Sequence, residues 1–219
     1  MKEKIPNQQA TWDNIAKKWK EYREVPSPTV IKFLNTIKKE NAEILDLGCG
    51  SGRNFVKPGS KKYTIYGLDF SKEMLKHAKA SAQKKKINVE TKLIEKEKIP
   101  FEDNFFDAAI CVAVLHCVEP KNQIKLMKEL YRVMKPKSKV LISVWGRTSP
   151  RLRNKPKECF VPWTIKREEH ISKEQRYTYI YDSEDSPNKR NELKEQAESV
   201  GFKVLRSWEE RNINIIVEK

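Results

Sequence analysis

Short, mostly apolar runs alternate along this chain with stretches in which apolar residues return every three or four positions. The runs fall at about 42–47, 63–69, 88–94, 105–114 and 139–145. Runs of that length bounded by turn-forming residues predict strands, and the three-to-four spacing between them predicts helices. Ser71, for example, is placed to cap a helix from Lys72 to about Lys84. Near the start, Trp12, Ile15, Ala16, Trp19 and Tyr22 form one helical stripe, and a second helix follows Pro28. Strands alternating with helices build a parallel sheet covered on both faces. Residues 202–208 and 212–218, after a helix at about 188–200, predict a terminal antiparallel pair. The pattern thus predicts one α/β domain over 11–219, with a seven-stranded, mostly parallel sheet, behind a flexible tail at 1–10.

The first strand runs out through Ile44-Leu45-Asp46-Leu47-Gly48-Cys49-Gly50-Ser51-Gly52, an acid and then three glycines at alternate positions. Glycine lets the backbone turn sharply at a strand end and lets a ligand lie directly on it. A dinucleotide fingerprint would need its third glycine at 53, which is Arg53, and Asp46 would repel a pyrophosphate. S-adenosylmethionine, with an ammonium and a sulfonium, suits an acid at the turn. Asp69 ends the second strand, where a carboxylate accepts hydrogen bonds from both ribose hydroxyls, and Glu95 ends the third, where it can accept from an adenine amino group.

Charge changes the picture more than size does. With 219 residues, 38% of them hydrophobic, the chain can bury a substantial core, but 45 Lys and Arg against 30 Asp and Glu leave a formal charge of +15. That excess favours a polyanionic partner, although abundant lysine also serves solubility. No apolar run is long enough to cross a membrane and the start is polar, so the expected location is cytoplasmic. Cys49, Cys111, Cys117 and Cys159 show no metal-site spacing, so no metal is expected.

The stretch from Gly146 to Pro187 reads as an irregular insertion, too long for a plain connection. Its basic residues are Arg147, Arg151, Arg153, Lys155, Lys157, Lys166, Arg167, Lys173 and Arg176, with Phe160, Trp163, Tyr177, Tyr179 and Tyr181 interleaved. Such a mixture suits phosphate contacts and base stacking on a single-stranded RNA loop, or equally a small aromatic core under a solvated surface.

Taken together, residues 12 to 145 resemble the class I, Rossmann-like S-adenosylmethionine-dependent methyltransferases. Ile99-Pro100-Phe101 through Phe105-Phe106-Asp107 is similar to that superfamily's entry to its fourth strand, and Leu130 to Pro136 to its passage into the fifth. Lys137-Ser138 stands where that passage usually has two glycines. Phe160-Val161-Pro162-Trp163, Arg176 to Tyr181, and Trp12 to Ala16 followed by Arg23 extend the resemblance to the tRNA wobble-uridine carboxymethyl methyltransferases. It implies S-adenosylmethionine as cofactor, held by Asp46, Gly48, Cys49, Gly50, Gly52, Asp69, Phe70, Glu95, Lys96 and Ala113. It also implies a tRNA anticodon loop as substrate and a small zinc-binding activator as partner. Cys117 departs from the family, which tends to have two consecutive histidines where this chain has His116-Cys117.

A carboxylate is ionised near pH 7, so its attack on a sulfonium methyl needs no general base. It needs close in-line approach, loss of water, and a cation or donors in place of that water. The expected catalytic group is Arg147 or Arg23 pairing with the substrate carboxylate, His116 orienting it, and Tyr22 with Arg23 closing over. The edge strand at 88–95 can take an activator by backbone pairing, whereas Lys92 and Lys84-Lys85-Lys86 read as guards of that edge. Three other functions fit the same residues: a small-molecule methyltransferase, a non-catalytic cofactor- or RNA-binding subunit, and a tRNA methyltransferase acting at another base.

Overall fold

The computed structural model describes residues 5–57, 62–95, 98–165 and 170–219; Lys96, Lys166 and Arg167 lie outside them. Five parallel strands carry the sheet: β1 (Ala42–Leu47), β2 (Tyr63–Asp69), β3 (Val89–Leu93), β4 (Phe106–Val112) and β5 (Met134–Val144). Their spatial order is β3-β2-β1-β4-β5, so the winding reverses between β1 and β4. In an open sheet of this kind ligands lie beyond the carboxyl ends of the strands at that switch point. Two last strands, β8 (Lys203–Glu210) and β9 (Asn212–Glu218), complete seven; β9 pairs antiparallel with both β5 and β8.

Alternation along β1 and β2 decides which helix covers which face. Ile44 and Ile65 are partners in register and meet helices α2 (Pro28–Leu34) and α3 (Lys72–Lys85) through Val30, Phe33, Leu34, Leu75 and Ala78. Leu45 and Tyr66, one residue on, face the core shared with α4 (Pro120–Val133) and α5 (Glu192–Ser199). Ser71 caps α3 by accepting from the Met74 N–H. Among the described residues no helix is long and apolar enough to cross a membrane.

Three expectations change. Helix α1 (Gln8–Tyr22) starts inside the stretch read as a tail, because Asn7 caps it and the Gln8 side chain accepts from the Tyr177 N–H at 2.8 Å. Strand β5 starts at Met134 rather than 139, running through an irregularity where Lys137 takes φ 64°. That is the left-handed conformation glycine would supply, here held by a hydrogen bond from the Lys137 N–H to the Lys219 carbonyl. The stretch from Gly146 to Pro187 is not irregular throughout. It contains an antiparallel hairpin, β6 (Glu158–Ile165) and β7 (His170–Tyr179), whose register slips next to Pro162, a residue with no N–H to give the ladder. Trp163 of β6 packs on Ile15 and Ala16 of α1 and on Met74 of α3.

Candidate active site

The turn after β1 is shaped by its own backbone. The Gly48 and Cys49 N–H groups both donate to the Leu68 carbonyl, and Lys85 Nζ donates to the carbonyls of Gly52, Arg53 and Phe55. Gly52 has φ 76°, and a Cβ there would stand 2.6 Å from the Phe55 ring and 3.2 Å from the Ala78 backbone. Gly50 has φ 55° and is different in kind: a Cβ there would meet nothing nearer than Trp19 Nε1, 3.9 Å away. One glycine is demanded by packing and the other leaves a cradle open.

A cavity of about 300 Å³ lies over that cradle, within the usual range for small-ligand sites. Gly48, Cys49, Gly50, Asp69, Phe70 and Ala113 of the expected cofactor set form part of its wall. Asp69 accepts from the Gly50 N–H at 2.8 Å and the Ser71 N–H at 3.0 Å, which fixes its carboxylate at the end of β2. Ala113, at φ 65°, is a non-glycine residue in left-handed backbone directly in the wall, and its N–H donates to the Ser143 carbonyl. Such strain concentrates at functional sites. Asp46 and Gly52 lie outside the lining residues, and Asp46 Oδ2 is buried with no partner. Glu95 is exposed and its neighbour Ile94 takes the place in the wall, so the third expected acid does not line the site.

Burial pushes the Asp46 carboxyl up to about 8, with Arg53 and Lys85 opposing. Burial likewise pushes Asp69 up to about 6 against the pull of the Ser71 and Gly50 N–H groups. Two carboxyls short of positive partners beside an open glycine cradle fit a ligand that carries its own cationic groups.

The opposite wall comes from α1 and the hairpin. Trp12 and Trp19 line it, as does Tyr177. Helix α1 is tied down by Asp13, which accepts from Ser71 Oγ, and by Gln9 Nε2 donating to the Phe70 carbonyl. Here the expected catalytic residues separate. Arg147 is committed elsewhere: its Nε donates to Asp182 at 3.0 Å and its Nη1 to the Lys155 carbonyl at 2.9 Å, and it does not line the cavity. His116 is buried outside the lining, stacked on Trp145 at 4.5 Å, with Nδ1 accepting from the Trp145 N–H. Burial, assisted by Arg176, lowers its pKa to about 3, so the ring is neutral. Tyr22 meets Trp163 edge to face, and the exposed Arg23 lies over Trp19 at 5.3 Å.

Arg176, counted from sequence only among the basic residues of the insertion, is not itself in the lining, where Arg53 supplies a cation on the donor side; it lies directly behind Trp12 and Trp19 of the opposite wall. Its guanidinium lies 5.8, 5.6 and 5.4 Å from the ring centres of Trp12, Trp19 and Trp145, and it is 3% exposed. Its Nε has no hydrogen-bond partner. Burial, and next to it Arg151 and Arg23, lower its pKa to about 10 against the pull of Cys117. Cys117 itself lines the cavity, and burial holds its thiol up to about 12, protonated and unreactive. The four cysteines are free.

Residues 45–142 match the family described as a methyltransferase domain. A 2-phytyl-1,4-naphtoquinone methyltransferase of Nostoc punctiforme is 31% identical over 204 residues, covering 90% of this chain and 80% of that protein. The chain belongs to the class I S-adenosylmethionine-dependent methyltransferases. A tRNA (carboxymethyluridine(34)-5-O)-methyltransferase of Schizosaccharomyces pombe is 27% identical, covering 95% of this methyltransferase and 94% of that protein. Its Arabidopsis thaliana namesake is 33% identical over 136 residues, 62% of this chain; the chain spans only 31% of that relative's length. A matching chain in the solved complex between the Haloferax volcanii Trm112 methyltransferase activator and a methyltransferase has a TM-score of 0.65 at 16% identity, covering 98% of this chain and 99% of that one. That likeness establishes the shared fold.

Proposed function

We propose that this methyltransferase esterifies the 5-carboxymethyl group of the wobble uridine in a tRNA anticodon loop, in the cytoplasm. The observation that carries the reading is the placing of charge behind the cavity's two walls. Asp69 lines the cradle side with Asp46 buried behind it, while Arg176 stands behind the Trp12 and Trp19 wall, paired with no carboxylate among the described residues. Arg23, near enough to lower the pKa of Arg53 and Arg151 after burial has done so, continues the positive rim. The near full-length similarity to the Schizosaccharomyces pombe protein supports the same acceptor.

S-adenosylmethionine, when bound, supplies a methyl group on a positive sulfur. The chain's part is placement: the Gly50 cradle and Asp69 seat the donor, and the indoles exclude water from the acceptor. With the donor seated, its methyl group would pass to the acceptor carboxylate oxygen and the carbon–sulfur electron pair would stay with sulfur, so the chain's residues need only hold the two partners in line. No proton moves, which agrees with a neutral His116 and a protonated Cys117 away from any base role. Lys85 holds the loop after the cradle and acts by positioning.

Strand β3 lies at one edge of the sheet, and it is where a small zinc-binding activator would add by backbone pairing. Lys92 is turned onto the Phe101 ring at 4.6 Å and the Pro100 carbonyl, leaving its charge beside that edge rather than across it. Similarity to the Nostoc punctiforme protein favours a second reading, transfer to a small aromatic acceptor. Mass spectrometry of tRNA nucleosides from a deletion strain separates the two. The wobble reading expects free 5-carboxymethyluridine to accumulate as its methyl ester disappears; unchanged tRNA nucleosides would refute it.

A further inference from the structure

Of five arginines in or near the cavity wall, four are placed otherwise. Arg53 lines the cavity and is drawn toward Asp46 on the donor side, Arg147 is bound to Asp182, Arg151 Nη2 donates to the Pro162 carbonyl, and Arg23 is exposed over Trp19. Arg176 remains, buried yet without a hydrogen bond at Nε. A buried guanidinium with no anion costs stability, and three indole faces offset only part of that. The molecule keeps this cost next to its ligand cavity: Trp12 and Trp19 are shared between the Arg176 cage and the cavity wall, and Tyr177, the next residue, lines the cavity as well. Trp19 also links the cage to the donor cradle, since its Nε1 is the atom nearest to where a Gly50 Cβ would stand.

We propose that Arg176 is the residue that selects an anionic acceptor, its planar fork of N–H donors gripping the substrate carboxylate beside the methyl donor. The fork matches a planar carboxylate in shape and charge better than it matches a neutral ester or amide. Its aromatic lining strips water from the anion while stabilising the cation. Transfer turns the carboxylate into an ester with no formal charge, and the guanidinium keeps all its protons. The grip therefore weakens as the product forms, which favours release of the ester over the acid. His116 acts at one remove, stacking on Trp145, the third face of the cage. This inference rests on the carboxymethyl-ester reading given above.

The test compares two anticodon stem-loops, one with 5-carboxymethyluridine and one with its methyl ester, binding to the protein saturated with S-adenosylhomocysteine. The wild-type chain should prefer the acid by roughly 10- to 100-fold, the range of one to two charge-assisted hydrogen bonds. Arg176→Gln should bring the two affinities within about twofold while S-adenosylhomocysteine binding is kept, and Arg176→Lys should restore part of the preference. A preference retained in Arg176→Gln overturns the assignment. If wild-type protein methylates the acid stem-loop in that case, the functional reading stands and the assignment alone fails; if wild-type protein does not methylate it, both fail. Should Arg176→Gln not fold, the wild-type Arg176 Nε–H resonance, identified through Arg176→Lys, should shift with the acid stem-loop and not with the ester. An Nε–H signal indifferent to the acid also overturns the assignment.

Discussion

At the scale of single residues, the two carboxyls at the donor side set a pH dependence whose sign is fixed. Folding raises Asp46 to about 8 and Asp69 to about 6, above the ordinary carboxylate value near ~4. The folded protein therefore holds protons that the unfolded chain has released. The stability they contribute is full below pH ~4 and is lost as pH rises through about 6 and then about 8. A cationic donor favours the ionised forms, so its affinity should rise with pH up to about 6 through Asp69 and up to about 8 through Asp46, by up to about tenfold per pH unit for each linked proton. Calorimetry in buffers of different ionisation heat should show proton release on binding, reduced in Asp46→Asn; a flat profile would contradict the assigned burial. The glycines give a paired prediction. Gly50→Ala should cost about 1–2 kcal/mol for its left-handed backbone and weaken donor binding, because the new methyl enters the cradle. Gly52→Ala should cost a further ~1–3 kcal/mol through the Phe55 ring, read as a larger fall in melting temperature. Asp46, the glycines and Asp69 are legible from sequence because strand, turn and acid are local. The commitment of Arg147 is not, since its partner Asp182 lies 35 residues on and only the fold brings them together.

At the scale of elements, the insertion is held by a charged knot at its base. Asp182 accepts from Arg147 Nε, Lys157 Nζ and Asn188 Nδ2, and Glu192 accepts from Lys157 and the Asp182 N–H. Burial pushes the Asp182 carboxyl up, but Lys157, Asn188 and Arg147 outweigh it and hold it below the usual range. Its contribution is therefore present above pH ~4 and lost as pH falls. Asp182→Ala should cost about 3–5 kcal/mol by leaving Arg147 unpaired, measured by denaturant unfolding. Arg147→Ala should also lower stability while the folded fraction transfers methyl groups at an unchanged single-turnover rate. A slowed step in the folded fraction would return Arg147 to the acceptor site. The strands of the main sheet are readable because apolar runs between turn formers admit few alternatives. The β6–β7 hairpin is harder to see, since its strands mix charges and aromatics and earn their place by packing Trp163 on α1, a contact more than 140 residues apart in the chain.

At the scale of the whole molecule, a formal charge of +15 includes Arg23 and Arg151, which lie over the indoles of Trp19 and Trp145, with Arg176 buried among the same rings. If about six phosphates of a single-stranded loop are contacted, the logarithm of the RNA affinity should fall against the logarithm of salt with a slope near −4. A small-molecule methyltransferase would show almost no slope. The glycine turn after β1 is readable in sequence because it is one continuous stretch of backbone, whereas Glu95 reads as a wall residue and is exposed, with Ile94 in the lining instead. The acceptor half is assembled from α1, β7 and the end of β4, three segments far apart in sequence, so a single basic residue such as Arg176 does not stand out from its neighbours before folding. A single-turnover reaction of the purified chain, with any activator supplied, using methyl-labelled S-adenosylmethionine and a stem-loop carrying 5-carboxymethyluridine, decides whether an ester is made. One label per stem-loop is expected, released by mild alkali as an ester must be; label that resists alkali, or none at all, would rule out esterification of the wobble uridine.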